Sequence, residues 1–285
     1  MGKWLCVFLF FVEVAFAQRQ GLPVKFSVGT FALDSYEYDW NQKGDGNIRE
    51  AKKFSETMEK NINKLYPSID FSKEAYINEQ VTKSVFLSDN TEKYNFLFYS
   101  GHGAEDGITM WTYYHWVYNR DKRFGKSGTY WVMISACNVF RNGFSNQDPW
   151  FDGVHSILGF ASIVWGGAQV RECGLFNLKT CYQYSSDMEE EFADRWIKDK
   201  ETIWSAFKNA VYNQLYDFGD KYKRKWFTKG VVPKIVYRYG NIDGKSFEPW
   251  QEKFENAYQG PIFRTNYKGI ASIWSVMGEP AYERP

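Results

Sequence analysis

Two short motifs carry groups able to do chemistry together. His102 stands between glycines in Ser100-Gly-His-Gly103, and Cys137 closes Ser135-Ala-Cys137. A free thiol is only a few per cent thiolate at neutral pH, and an imidazole beside it can take its proton or stabilise the thiolate. A thiolate that attacks a carbonyl needs N–H donors for the developing oxyanion. The backbone amides of Gly103 and Cys137 are the candidates, since a glycine lets the backbone approach closely. His102 would then protonate the leaving amine. No third residue is evident, and a backbone carbonyl could orient the imidazole as well as a carboxylate could.

Both motifs follow apolar blocks. Tyr94-Asn-Phe-Leu-Phe-Tyr99 precedes the first, Thr129-Tyr-Trp-Val-Met-Ile134 the second, and a third block, Ala161-Ser-Ile-Val-Trp165, closes on Gly166-Gly167. Near-continuous apolar runs suit strands buried on both faces of a parallel sheet. Ligands bind beyond the carboxyl ends of such strands, so neighbouring strands would deliver His102 and Cys137 at one edge. Residues 111–118 and 150–160 read as helical, the second through Trp150, Val154, Ile157 and Leu158, which completes a βαβ pattern.

Residues 22–33 read as a first strand. Asn47–Leu65 reads as an amphipathic helix with Ala51, Phe54, Met58, Ile62 and Leu65 on one face, ended by Tyr66-Pro67. Residues 83–87 suit a short strand or a helix tail. A helix over Asp187–Ile197 carries Met188, Phe192 and Trp196 at four-residue steps, with Asp187 as its cap and Glu190 as capping-box partner. A second helix runs over Ile203–Phe218. Val231–Tyr239 reads as a strand with Pro233 at its edge or start, and residues 241–285 show no long period.

The His-Gly motif behind one block and the Ala-Cys motif behind the next resemble the cysteine-peptidase superfamily of caspases, legumains and gingipains. The resemblance implies a three-layer α/β/α sandwich with a mainly parallel sheet over residues 18–240 and a C-terminal extension, 241–285, packed on the core. It implies His102 and Cys137 as a dyad hydrolysing peptide bonds of a peptide or protein substrate, with no cofactor. It also implies a P1 pocket bordered by Trp165 and Gly166, with Glu105 and Asp106 available to favour a basic residue. Cys137 is followed by Asn138-Val139 where caspases have a glycine one residue on, which separates this chain from caspases proper. Ser-Gly-His-Gly together with Asp152–Phe160 is similar to a little-described secreted or bacterial branch of the superfamily. Two alternatives keep the fold: a non-catalytic exported module binding through its aromatic surface, and a transpeptidase passing the acyl group to an amine.

The remaining features bound the setting. Lys3, the apolar run Trp4–Val12 and Ala15-Phe-Ala17 form a signal peptide over residues 1–17, despite Glu13, so the expected mature chain starts at Gln18 and is secreted. No later stretch is apolar enough for a membrane anchor. The 285 residues suffice for one large domain, and the 35 basic against 34 acidic residues argue against nucleic acid as a partner. Of the four cysteines, Cys6 leaves with the signal. Cys173 and Cys181 could close a small loop, which makes Cys137 the odd one out in an oxidising compartment. His155 reads as structural, His115 as packing, and Asp152 as a helix cap or pocket rim. The chain has no zinc-site spacing, no phosphate loop and no Gly-x-Ser-x-Gly elbow.

Overall fold

The structure is a computed structural model. It describes residues 21–37, 46–105, 107–112, 115–141, 150–162, 167–173, 179–185, 187–216, 232–242, 245–261, 267–276 and 279–283. The expected signal peptide, Asp106, Trp165 and Gly166 lie outside these residues.

The apolar blocks form the centre of a sheet because each can be buried on both faces. β1 (Lys25–Ala32), β3 (Phe96–Ser100), β7 (Trp131–Ser135) and β8 (Ser156–Phe160) run side by side and parallel, and β3, β7 and β8 are buried along their whole length. Alternation along each strand sorts the side chains. Phe96, Phe98, Trp131, Met133 and Leu158 meet one helical layer, while Leu97, Tyr99, Val132, Ile134 and Ile157 face the other side. The helical layer holds α1 (Asn47–Leu65), α3 (Asp187–Ala193) and α4 (Ile203–Val211); α3 continues as a wider turn to Lys198 and α4 to Tyr216. The periodicity of α1 is realised: Ala51, Phe54, Met58 and Ile62 are buried, and its Ile48 amide is capped by the Asp34 carboxylate at 3.2 Å.

The opposite face is covered differently. It carries a short helix α2 (Lys83–Leu87), loops packed through Phe124, Phe140, Trp150 and Phe151, and a small antiparallel sheet of β4 (Gly103–Ala104), β5 (Gly107–Thr109) and β6 (Trp116–Tyr118). The helix expected over 111–118 is therefore replaced where described by strand β6. The helix expected over 150–160 is replaced by an irregular segment and β8. The third strand of the motif series is thus Ser156–Phe160; of the expected block 161–165, Ala161 and Ser162 form a bend and the rest lies outside the described residues. A run this short satisfies helical and extended spacing alike, and burial on both faces decides for the strand. With no helix there, Asp152 caps nothing; its carbonyl takes Arg238 Nη1 at 2.8 Å.

Among the described residues the central sheet has nine strands, ordered β14-β13-β11-β8-β7-β3-β1-β2, with β12 (Lys245–Phe247) beside β11. β2 (Asp70–Ile77) is an exposed parallel edge strand reached from β1 through α1. β11 (Pro233–Ile242), β13 (Tyr267–Val276) and β14 (Glu279–Glu283) are antiparallel, so the sheet is parallel in one half and mixed as a whole. Pro233 does stand at the start of β11, though the strand is internal. β11 runs through residue 240 and the tail adds β13 and β14 to the sheet, so residues 241–285 complete the sheet and do more than pack on it. β9 (Gly167–Cys173) and β10 (Lys179–Ser185) form a separate ribbon. No described helix is long and apolar enough to cross a membrane.

Candidate active site

The parallel register sets the site. Ser100 of β3 is the Cα partner of Ser135 of β7, and the pairing extends one step further, with the Gly101 amide donating to the Ser135 carbonyl at 3.2 Å. His102 and Cys137 therefore each stand two residues past a matched pair of strand ends, at the carboxyl edge. The turns that carry them touch. A Cβ on Gly103 would lie 2.8 Å from Ala136 Cβ and 2.9 Å from both the Cys137 carbonyl oxygen and Val139 Cγ2, so the two turns approach to a distance only glycine allows.

The His102 turn is held by its backbone. The amide donates to Tyr36 Oη at 2.8 Å, and the imidazole stacks on the Tyr36 ring with centroids 5.0 Å apart and planes at 23°. Its carbonyl accepts from the Thr109 amide at 3.1 Å and Thr109 Oγ1 at 3.2 Å, which joins the turn to β5. Tyr99 Oη donates to the Thr109 carbonyl at 2.6 Å, and burial pushes its hydroxyl well above the ordinary range, so it stays a donor. Cys137 is half-buried, packs against the helix-side core, and precedes Asn138 in the left-handed region at φ 55°. The Asn138 amide donates to the Ser162 carbonyl at 2.9 Å, which ties the cysteine turn to the end of β8.

Other expected residues fall elsewhere. Glu105 pairs with Arg141 of the cysteine turn at 3.1 Å, both well exposed, so an ion pair bridges the two turns at the surface. His155 is fully buried at the opposite, amino-terminal edge and His115 is exposed, so neither shares this site. The register of the ribbon sets Cys173 opposite Lys179 and Cys181 opposite Arg171, so the two cysteines are not Cα partners. Among the described residues no cluster of three or more His, Cys, Asp or Glu could hold a metal ion.

Sequence reasoning passed over the groups that line the helix side just below the turns. Ser100, Ser135, Asn47, Glu50 and Glu189 are all buried there. A signal existed: Glu50 lies on the same face of α1 as Phe54 and Met58, and Glu189 sits beside the Met188–Phe192 stripe of α3. A carboxylate on an apolar helix face is costly unless it serves something.

A family model described as a domain of unknown function, DUF6345, matches residues 45–217, well over half of the chain, and spans both motifs. Among curated proteins none matches. The chain is similar to several solved structures. The structure of pro-sf-caspase-1 aligns at 11% identity over 71% of this chain and 85% of that one, with a TM-score of 0.43. The Arg specific cysteine proteinase gingipain R of Porphyromonas gingivalis aligns at 10% over 90% and 66%, with a TM-score of 0.43. The Drosophila initiator caspase Dronc aligns at 10% over 86% and 87%, with a TM-score of 0.42. Likeness at that level says nothing of chemistry, which rests on this chain's own residues. On the match over residues 45–217, the chain belongs to the DUF6345 family.

Proposed function

We propose that the chain is a cysteine-dependent hydrolase of peptide bonds, with Cys137 as nucleophile and His102 as its acid and base. The observation that carries the reading is the register: Ser100 opposite Ser135, with Gly103 against the Cys137 carbonyl. The imidazole takes the thiol proton and the sulfur bonds to the substrate carbonyl carbon. The oxyanion is met by the backbone N–H of Gly103 and of Cys137. Collapse expels the amine, which receives the proton from His102 and leaves a thioester. Water then gives its proton to His102, attacks the thioester, and releases the acid and the thiol.

Export belongs to the same reading. Removal of residues 1–17 sends the chain out of the cytoplasm, where Cys173 and Cys181 bond to each other and Cys137 stays a thiol. Alkylation by iodoacetamide, followed by mass location of the label, tests the function. Cys137 should label at least about tenfold faster than an unactivated thiol, and His102→Ala should remove that advantage. Slow labelling at the same rate in both proteins would overturn the reading.

A further inference from the structure

One strand repeat below the two turns, the helix-facing interior changes from apolar to acidic. Along β3 and β7 that face carries Phe96 and Phe98, Trp131 and Met133, and then Ser100 and Ser135. Ser100 Oγ lies 2.9 Å from Asn47 Oδ1 and 3.0 Å from Glu50 Oε2. Asn47 gives its Nδ2 to the Leu33 carbonyl at 2.6 Å, so the end it turns to Ser100 is an acceptor. Ser100 thus has one proton for two acceptors, Asn47 Oδ1 and Glu50 Oε2, and burial, followed by the charge of Glu189, raises the Glu50 carboxyl well above its usual range.

Glu189 is bonded differently. Ser135 Oγ donates to its Oε1 at 3.3 Å, while its Oε2 is buried with no hydrogen-bond partner among the described residues. The residue is 1% exposed, and among the described residues it meets no basic side chain. Burial pushes its carboxyl up to about 7 against hydrogen bonds from its own backbone amide and from Ser135, and no cation lies beside it among the described residues. Asp187, which adds to the repulsion, is occupied by Lys53 at 2.9 Å. An unpaired buried carboxylate is costly, and a single cation would satisfy it.

The cation can come from above. Cys137 follows Ser135 by two residues, in the turn just past the end of β7, and packs on the same helix-side cluster, so it lies next above that layer. A lysine or arginine side chain carries its charge on a long flexible stem, which suits a carboxylate one layer below the point of attack. We propose that Glu189, with Glu50, Ser100 and Ser135 around it, is the seat for a lysine or arginine side chain on the acyl side of the bond that Cys137 attacks. This rests on Cys137 as the nucleophile. A single unpaired carboxylate matches one positive charge, whereas a divalent metal would be left undercompensated.

The test compares two active-site alkylators on the full chain, tosyl-lysine and tosyl-phenylalanine chloromethyl ketone, with the label located by mass. The lysyl reagent should label Cys137 at least about tenfold faster, and Glu189→Gln, which keeps an acceptor for Ser135, should bring the ratio close to one. A ratio near one in the native protein, or one that survives in E189Q, overturns the proposal. A second measurement stands apart from Cys137 reactivity and from the folding of the variant. Agmatine, a guanidinium on a four-carbon stem, should raise the native protein's melting temperature and compete with the lysyl reagent. A rise with calcium and none with agmatine assigns the seat to a metal and overturns the proposal. If agmatine binds while iodoacetamide finds an unactivated Cys137, the hydrolase reading has failed and the proposed role with it, and the binding site alone remains.

Discussion

At the amino-terminal edge of the sheet, buried charge is answered. His155 lies 3.0 and 3.1 Å from the Glu252 oxygens through Nδ1 and 2.6 Å from the Gly260 carbonyl through Nε2, so both ring nitrogens have a partner. Glu252 also accepts from Trp131 Nε1 at 2.9 Å and the Tyr258 amide at 3.0 Å. Close by, Lys122 pairs with Glu92 at 3.3 Å, and Arg238 gives its guanidinium to the carbonyls of Phe151 and Asp152. At the carboxyl edge, the carboxyls of Glu50 and Glu189 are as deeply buried and meet no basic group among the described residues. The first edge spends polar groups on fixing 249–260 to β7 and β8. The second leaves a deficit beneath the two turns. Burial of charge at the first edge is explained by the fold, and at the second it is not.

The largest effect should come from breaking a satisfied pair. Glu252→Gln removes the carboxylate that His155 and Trp131 share, and His155→Ala strips Glu252 of its imidazole partner while Trp131 stays bound. Each should lower unfolding free energy by about 3–5 kcal/mol, read from urea midpoints at constant slope. A loss below about 1 kcal/mol would mean that the amino edge does not clamp the C-terminal segment, and the contrast between the edges would collapse.

The carboxyl edge should show the reverse behaviour as pH rises. Burial raises the Glu189 carboxyl from 4.5 to about 7, and burial followed by the charge of Glu189 pushes Glu50 well up. A raised acid is stabilising where it stays protonated, below its unfolded value, and the advantage is lost as pH climbs to the folded value. Unfolding free energy should therefore fall between about pH 4.5 and pH 7, by on the order of 3 kcal/mol from Glu189 alone. E189Q should flatten that slope and be more stable than the native chain at pH 8, the opposite sign to E252Q. A native profile that stays level across this window would show that the acid pair is compensated.

Legibility in the sequence follows the same division. The two motifs and their blocks predicted the matched strand ends, because buried parallel strands leave continuous apolar runs. α1, α3 and α4 were legible from their stripes. β8 was misread as a helix because Trp150, Val154, Ile157 and Leu158 fit a helical step, while the true strand, Ser156–Phe160, is too short to betray its period. β2 has charged residues at Asp70, Lys73 and Glu74 and lies exposed at an edge, so no burial pattern marks it. The tail lacked any long period, yet β13 pairs along β11 and buries Ile270, Ala271 and Ile273. Glu50 and Glu189 escape a reading of apolar periodicity, which weighs the stripe and not the acids set within it.

A third prediction concerns the contact that brings the turns together. Gly103→Ala puts a methyl 2.8–2.9 Å from Ala136, Cys137 and Val139, inside van der Waals distance. The turns must part, at a cost of about 1–3 kcal/mol, and the iodoacetamide rate of Cys137 should fall while the Glu252-dependent stability is kept. Unchanged labelling in G103A would show that the spacing of the turns has no part in activating the thiol.

The smallest effect distinguishes two ion pairs of similar length. Lys122–Glu92 has side chains 7% and 3% exposed, whereas Arg141–Glu105, which bridges the turns, has side chains 63% and 43% exposed. Water screens the second pair, so its coupling in a double-mutant cycle should stay below about 1 kcal/mol and fade between low and high salt. The Lys122–Glu92 cycle should give several-fold more and persist in salt, because removing either partner strands the other where little water reaches it. A strong, salt-resistant coupling for Arg141–Glu105 would mean that the mouth between the turns is closed to solvent. The carboxyl edge would then be as tightly sealed as the amino edge, and a substrate side chain would have no route to Glu189.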